Sequence, residues 1–263
     1  TNTGKIILGT KFSTGMFGAA GSTITNSGEI TGTQEKIVGM AGDASTVTNK
    51  KTISLAGKNS TGIFGQNSST ITNETDGTIT LGEESSVGIY SAATNISAVN
   101  KGAITALKKS SAGMLGNNKT VTNEGTITTS AEGSAGMLGI VDKTTTGSTY
   151  NLALKNSGNI NISGKESAGM MLTNESASIG KDKVTAENTG TITLSSTTAT
   201  DNKNIGIYVD KKATGTNAGT IDVKTKESVG MFVQNDGEVT NKEAINIEGK
   251  NGVGIFVADD TSK

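Results

Sequence analysis

Two pairs of adjacent carboxylates come nearest to a catalytic set in this sequence. They are Glu83-Glu84 and Asp259-Asp260. A pair of carboxylates is the minimum for glycoside hydrolysis, in which one acts as an acid and the other as a base or nucleophile. Both pairs lie outside the regular apolar pattern described below, and adjacent charges in such positions are typical of a solvated edge. We therefore predict that the chain is not an enzyme and has no catalytic residue.

Other chemistry is excluded by the residue types that the chain lacks. It has no His, Cys or Arg, which excludes imidazole acid–base catalysis, thiol nucleophiles, disulfides and the usual zinc, haem and iron–sulfur sites. No Gly-Lys-Ser or Gly-Lys-Thr closes a phosphate-binding loop. The net charge is −1 at pH 7, which argues against a nucleic-acid partner. We expect no metal, no cofactor and no nucleic acid.

An internal repeat organises the 263 residues. One landmark is a Gly followed by two mainly apolar residues, and it recurs ten times. The other is an Asn followed, usually four residues later, by an Ile, and successive Asn residues are most often 23 or 24 positions apart. After the first copy, at Asn2, this Asn is found at Asn26, Asn49, Asn73, Asn100, Asn123, Asn156, Asn188, Asn217 and Asn241.

The local pattern within each repeat is that of a β-strand. β-branched apolar residues alternate with Thr, as in Thr23-Ile24-Thr25, which predicts strands with one face inward. Each repeat has room for about three short strands and cannot bury its apolar face alone. The sequence thus predicts an all-β parallel β-solenoid of about ten stacked coils, each of about 24 residues and three strands. Its inner ladder would contain Ile30, Ile53, Ile79, Ile104, Ile127 and Ile160.

Stacking gives the repeated Asn a structural role. The Asn residues would lie over one another at one corner, where side-chain amides bond along the stack. Asn also tolerates a left-handed backbone, and the Gly two residues later, as in Asn26-Ser27-Gly28, would supply a positive φ for the same turn. We therefore expect a structural Asn corner along the solenoid.

The Gly-Met-Phe landmark allows two arrangements, because adjacent residues on a regular strand point to opposite faces. Either the Gly bends the chain so that both following side chains turn inward, or the second of them forms an apolar stripe outside. We expect the first. The second would make a docking surface of Phe17, Phe64, Tyr90, Leu115, Leu138, Tyr208, Phe232 and Phe256.

Three copies of the repeat are longer than the others. The extra residues fall near 140–151, 173–184 and 195–204, and insertions on a solenoid become projecting loops that can hold binding residues. The alternative is drift in loop length without a function. The candidate ligand-binding residues in these loops are Thr144, Thr145, Tyr150, Lys181, Asp182, Asp201 and Asn202.

The repeat motif resembles a known family. Residues 120–128 (TVTNEGTIT) and 134–138 (SAGML) resemble the passenger region of large autotransporter (type V secreted) adhesins of Gram-negative bacteria. The use of Lys without Arg, with abundant Asn and Ile, is similar in particular to fusobacterial outer-membrane adhesins. The resemblance implies a right-handed β-helical stalk displayed on the cell surface and anchored in the outer membrane.

These observations lead to one expected function and two alternatives. We expect residues 1–263 to be a single β-solenoid segment of a longer chain, without direct membrane insertion of its own, since no stretch approaches about 18 consecutive apolar residues. It would be a non-enzymatic adhesin segment that presents or spaces a site for a protein or glycan receptor on host or bacterial cells, packed against adjacent coils of the same passenger. The alternatives are a purely structural spacer and a polysaccharide-degrading β-helix enzyme.

Overall fold

The chain folds into a right-handed parallel β-solenoid. The repeat predicted the parallel solenoid, and the family resemblance implied its right-handed sense. The computed structural model describes residues 1–92, 96–117, 119–146, 150–196, 202–259 and 261–262. These contain 29 strands and one 3-10 turn, Lys181–Lys183. A coil consists of one strand from each of three parallel sheets, so that coil 1 holds β1 to β3. Coil 10 is the exception and holds two strands, β28 and β29.

Each sheet runs the length of the solenoid, with one strand per coil. Sheet 1 contains β1 (Lys5–Leu8), β4 (Glu29–Gly32), β7 (Thr52–Leu55), β10 (Thr78–Leu81), β13 (Ala103–Ala106), β16 (Thr126–Thr129), β19 (Asn159–Ile162), β22 (Thr191–Leu194), β25 (Thr220–Val223) and β28 (Ile245–Ile247). Sheet 2 contains β2 (Thr14–Gly18), β5 (Val38–Asp43), β8 (Thr61–Gln66), β11 (Val87–Ser91), β14 (Ala112–Gly116), β17 (Ala135–Val141), β20 (Ala168–Asn174), β23 (Ile205–Asp210), β26 (Val229–Gln234) and β29 (Val253–Val257). Sheet 3 contains β3 (Thr23–Asn26), β6 (Thr46–Asn49), β9 (Thr70–Asn73), β12 (Ser97–Asn100), β15 (Val121–Asn123), β18 (Leu152–Asn156), β21 (Val184–Asn188), β24 (Thr214–Asn217) and β27 (Glu238–Asn241).

The core is a narrow column of stacked aliphatic side chains. Ile53 pairs with Ile79 and Ile79 with Ile104 across sheet 1, and all three are 0% exposed. Residues on either side of each Ile point outward and are polar in most coils. The predicted aliphatic ladder is therefore confirmed, and about 20% Leu, Ile, Val and Phe is enough to fill so thin a core.

The predicted Asn corner is confirmed as a continuous hydrogen-bonded ladder. The Nδ2 of Asn26 donates to Oδ1 of Asn49 over 2.8 Å, and the Nδ2 of Asn49 donates to Oδ1 of Asn73 over the same distance. This pattern runs from Asn2 through every coil to Asn241. The Asn side chains between the two ends of the ladder are nearly completely buried. Each buried amide is satisfied because its neighbour in the stack is also Asn.

The left-handed backbone expected at the Asn corner is found at the other two corners instead. Among the described residues none of the ladder Asn has a positive φ. The residue at the turn between sheets 1 and 2 has a φ between 48° and 64° in every coil. This left-handed column contains Phe12, Lys36, Asn59, Ser85, Ser110, Gly133, Glu166, Lys203, Glu227 and Asn251. Because the residue type varies, the sequence gives no clear signal for it.

The Gly that follows the Asn corner is required by space and not by φ. In the described chain, Gly21 and Gly133 are the glycines with positive φ, so the expectation that this Gly supplies a positive φ was wrong. A Cβ on Gly125 would collide with the carbonyl oxygen of Gly102 in the coil before it. The turn is thus packed backbone against backbone, which only Gly permits.

A second polar ladder, which the sequence analysis did not predict, follows the left-handed column. The backbone N–H of Ser86 donates to Oγ of Ser111 over 3.2 Å, and the N–H of Ser134 donates to Oγ of Ser167 over 3.1 Å. Asn204 replaces Ser in coil 8, where its Oδ1 accepts from the N–H of Ser167 over 3.0 Å. Ser is small enough to be buried at this corner and still provide an acceptor to the preceding coil.

Candidate functional site

The Gly-Met-Phe landmark places its Met inside the solenoid and its last residue outside. Met137 is 0% exposed, whereas the adjacent Leu138 is half-buried on the outer face. Strand pairing skips the Gly, which sits at a bend where a Cβ on Gly39 would lie 2.7 Å from Cγ2 of Ile53. The expectation that both side chains turn inward was therefore wrong: the Gly makes room for the Ile ladder, and the next two residues still alternate.

The outward residues form a row of mainly apolar side chains along sheet 2, which we call the outer column. Its members, one per coil, are Phe17, Ala41, Phe64, Tyr90, Leu115, Leu138, Met171, Tyr208, Phe232 and Phe256. Rings in adjacent coils contact each other: Tyr208 and Phe232 stack with centroids 5.4 Å apart, and Phe64 meets Tyr90 edge to face at 5.5 Å. A row of mainly apolar, partly exposed side chains of this length is typical of a surface that binds something.

A groove runs beside the outer column from coil 4 to coil 8. Its floor is the column of residues that precede the landmark Gly, which are Ala112, Ala135 and Ala168 in coils 5 to 7. Larger side chains, Val87 and Ile205, occupy the floor positions in coils 4 and 8. Three successive small side chains therefore open a depression of about 580 Å³. At about 4.8 Å per coil the groove is about 19 Å long.

The two walls of the groove differ in chemistry. One wall is apolar and consists of the outer-column residues Leu115, Leu138, Met171 and Tyr208. The other is the left-handed column, which presents Ser85, Ser110, Gly133, Glu166 and Lys203. Small residues in the middle of this second wall keep the groove open to solvent. The site is a slot with an apolar floor, one apolar wall and one polar wall.

Tyr208 is held in place at the coil 8 end of the groove. Its hydroxyl oxygen accepts a hydrogen bond from Nε2 of Gln234 over 2.7 Å. Partial burial raises the pKa of Tyr208, and the carboxylate of Asp210 raises it further. Asp210 in turn accepts a hydrogen bond from Nδ2 of Asn235 over 2.7 Å. The phenol is neutral at physiological pH, and the hydrogen bond from Gln234 ties its hydroxyl to the neighbouring coil.

The first two predicted insertions meet each other at the corner between sheets 2 and 3. The first connects β17 to β18 and the second connects β20 to β21. The Oγ of Ser176, in the second, donates to the carbonyl oxygen of Thr145, in the first, over 2.6 Å. Thr144 donates through both its backbone N–H and its hydroxyl to Oδ1 of Asp142, which lowers the pKa of Asp142. Thr144 and Thr145 thus shape the loop.

Tyr150 and Lys181 also have structural contacts. Tyr150 is 6% exposed and belongs to the hydrophobic core, together with Ile179 of the second insertion. Its burial does not favour direct contact with a ligand. The Nζ of Lys181 lies 3.0 Å from Oε2 of Glu238, and this hydrogen bond raises the pKa of Lys181. The side chain of Asp182 is 73% exposed, and its Oδ2 lies 3.5 Å from Nζ of Lys183.

The third predicted insertion lies at another corner, between β22 and β23, next to the groove. Asn202 is 3% exposed, and its carbonyl oxygen accepts a backbone hydrogen bond from Glu166. Asp201 lies outside the described residues. The neighbouring Lys203 and Ile205 line the groove, although the sequence analysis did not single them out. The structure therefore does not bring the six described candidate residues together in one site.

The described members of the two acidic pairs lie far from each other. Glu84 lies at a corner of coil 4, where Nζ of Lys58 is 2.5 Å from its Oε1 and lowers the pKa of Glu84. Asp259 follows β29 in coil 10, six coils or about 29 Å away along the axis. Asp260 lies outside the described residues. This separation is too large for two carboxylates that act on one glycosidic bond.

Two further properties describe the part of the chain that the structure covers. Within it, no group of three or more acidic side chains is placed to hold a metal ion. Nor does any helix in that part have the length and apolar character needed to span a bilayer.

Comparison with known proteins gives a family and no individual relative. No curated protein and no solved structure has significant similarity to the chain. The family described as the BigA third pectate lyase-like domain matches the chain twice, over residues 34–151 and 145–262. The two matches meet near the first insertion and together cover most of the solenoid. The chain therefore belongs to the family of the BigA third pectate lyase-like domain, a β-helical domain named for a bacterial surface protein.

Proposed function

We propose that this chain is a non-enzymatic segment of a bacterial cell-surface adhesin, and that its groove binds a receptor on host or bacterial cells. The observation that carries the proposal is the combination of the outer column and the alanine-floored groove on sheet 2. The interior of the solenoid is filled without these residues, so the fold does not need them to be large and apolar. Exposed apolar rows with a polar border are typical of binding surfaces.

The cellular setting follows from the family and from the repeat motif. Membership of a family named for a surface protein supports a location outside the cell. The resemblance to autotransporter passengers, fusobacterial ones in particular, supports a stalk anchored in the outer membrane. At the coil 10 face, Ile255 and Val257 are 43% and 46% exposed, whereas Met231 and Val233, their partners in coil 9, are completely buried. We propose that adjacent coils of the same passenger cover such a face.

The spacer alternative has one observation in its favour. The Asn ladder continues through every coil that has a sheet 3 strand, as a rigid rod would require. A spacer, however, needs no exposed apolar row. The enzyme alternative has the pectate lyase-like family description in its favour, but a fold shared with enzymes does not imply their activity, and the acids named above do not converge.

Cell binding tests the proposal directly. Fluorescently labelled protein would be incubated with host epithelial cells and with bacteria, and bound label would be measured by flow cytometry. We expect saturable binding that Leu138→Glu in the groove wall reduces at least about tenfold. Thr128→Glu, on the outer face of sheet 1 in the same coil, is the matched control and should bind normally. Absence of binding to any cell would support the spacer, and release of reducing ends from a polyuronate would support the enzyme.

A further inference from the structure

We propose that the groove binds an extended peptide in the polyproline II conformation, lying along the solenoid axis with apolar side chains in the slot. This inference rests on the proposed adhesin function and identifies the chemistry of its receptor. We infer the identity of the occupant from three properties of the groove. These are its cross-section, its axial repeat and the atoms that line it.

The cross-section of the groove is small for a folded partner or a helix. The empty space along its length is about 1230 Å³, the open solvent side included. An α-helix with its side chains is about 10–12 Å wide, so about 19 Å of it would occupy roughly 1,800 Å³, which is more than the groove offers. A stable interface between folded proteins, including a second copy of this chain, buries about 800 Å² on each partner. A groove about 19 Å long offers far less area than this, so a single extended chain fits best.

The axial repeat selects among extended chains. Positions in the groove recur every coil, at about 4.8 Å, and every second coil at about 9.6 Å. A polyproline II helix has three residues per turn and rises about 3.1 Å per residue, so equivalent side chains recur every 9.3 Å or so. Side chains on one face of a β-strand recur about every 6.8 Å and lose register with the coils. Six residues of polyproline II are about 19 Å long, which is the length of the groove.

The lining favours an apolar and neutral occupant. The floor offers Ala methyl groups, and the hydroxyls of Ser111, Ser134 and Ser167 beside it already donate to carbonyl oxygens within the solenoid. The Oγ of Ser134 accepts from the N–H of Ser111 and donates to the carbonyl oxygen of Lys108. The polar wall carries Glu166 and Lys203 in adjacent coils, so its charges cancel. A sugar chain would need many free donors and acceptors, whereas a peptide rich in Pro needs mainly apolar contact.

The site depends on a local departure from the repeat. The floor column holds Ala in coils 5 to 7, but Thr61, Val87, Ile205 and Val229 in the flanking coils. The solenoid therefore accommodates branched side chains at this position, and the alanines are not required for folding. Residues 1–263 contain no Pro, so a Pro-rich occupant lies outside this segment. A preformed polyproline II helix also loses little conformational entropy on binding.

The test uses a variant that the fold already tolerates. Ala135→Ile would place in the groove the side chain that Ile205 carries at the same register, and should fill the slot. Ala103→Ile is the matched control, because Ala103 points outward on sheet 1 between Thr78 and Thr126. Fluorescein-labelled hexaproline is titrated with each protein, and binding is measured by fluorescence anisotropy. Circular dichroism melting checks that both variants fold.

The outcomes separate this inference from the proposed function. Saturable binding of hexaproline that Ala135→Ile weakens at least about tenfold and Ala103→Ile leaves unchanged would support the inference. It would be overturned by no saturable binding, by equal binding of a Gly-Ser hexapeptide, or by no effect of Ala135→Ile. Binding of an oligosaccharide that Ala135→Ile abolishes, without hexaproline binding, would overturn it in favour of a glycan. If the protein still binds cells in any of these cases, the adhesin proposal stands and only the receptor chemistry is wrong.

Discussion

The Nδ2 of Asn123 donates to Oδ1 of Asn156 over 2.8 Å, although 33 residues separate the two. In most other steps of the ladder the same bond joins residues 23 or 24 apart, as between Asn26 and Asn49. The longer repeat thus leaves the ladder unbroken, because the extra residues leave the solenoid at the corner between sheets 2 and 3. A change in repeat length is absorbed by a loop and does not alter the stacking of the coils.

The ladder predicts a large cost for removing one of its members. Asn123→Ala would leave the buried Oδ1 of Asn156 without its donor and remove the acceptor of Asn100. Two broken buried hydrogen bonds should lower the free energy of unfolding by about 2–4 kcal/mol. Urea unfolding of the variant would measure this. Asn159→Ala, at an exposed position in coil 7, is the control and should cost less than about 0.5 kcal/mol.

The glycines at two corners should respond differently to a methyl group. Gly125→Ala would drive its Cβ into the carbonyl oxygen of Gly102, and such overpacking should cost about 2–3 kcal/mol. At Gly133, φ is +64° and the nearest atom to a Cβ lies 3.9 Å away. Since Ser110 and Glu166 already adopt this conformation, Gly133→Ala should cost only about 1 kcal/mol. Thermal unfolding of both variants checks the order, and the reverse order would mean that backbone conformation dominates.

The period of the sequence predicted the solenoid, the Ile ladder and the Asn ladder, because each depends on one residue type that recurs in most coils. The left-handed column could not be predicted, since residues as different as Phe12, Lys36 and Glu166 share that conformation. Nor could alternation alone place Leu138 outside, because the orientation depends on the bend at Gly136. To predict the groove, one would need the position of the left-handed column and the outward position of Leu138, together with the run of Ala in three coils. From the sequence, the binding residues were predicted to lie in the long insertions, yet two of these insertions mainly pack on each other.

Burial predicts that Tyr150 contributes to stability. It is 6% exposed within the hydrophobic core, so Tyr150→Ala should lower the free energy of unfolding by about 3 kcal/mol or more. Thr144→Ala, in the same insertion but exposed, should change it by less than about 1 kcal/mol. Denaturant unfolding measures both, and cell binding measured on the folded variants would show whether either residue also contacts a receptor. Equal stability of the two variants would contradict the buried position of Tyr150.

The turn after β29 should depend on pH only in strong acid. Hydrogen bonds from Thr261, Ser262 and the backbone N–H of Asn235 lower the pKa of Asp259 to about 2. Because the folded pKa lies below the ordinary value of 3.8, the stabilising contribution is complete above about pH 4 and is lost as the pH falls through about 2. An NMR titration of the Asn235 amide resonance should report this midpoint. In Asp259→Asn the transition should be absent; a midpoint near 4 in the unaltered protein would contradict these bonds.

Two adjacent residues test which side of sheet 2 faces the core. Met137 is completely buried and Leu138 lies on the outer column. Met137→Ala should therefore lower the free energy of unfolding by about 2–5 kcal/mol, because it leaves a cavity in the core. Leu138→Ala removes a side chain of similar size from a half-exposed position and should cost about 1 kcal/mol or less. Urea unfolding of the two variants makes the comparison. Similar large costs for both would mean that both side chains turn inward, and the groove would then lack its apolar wall.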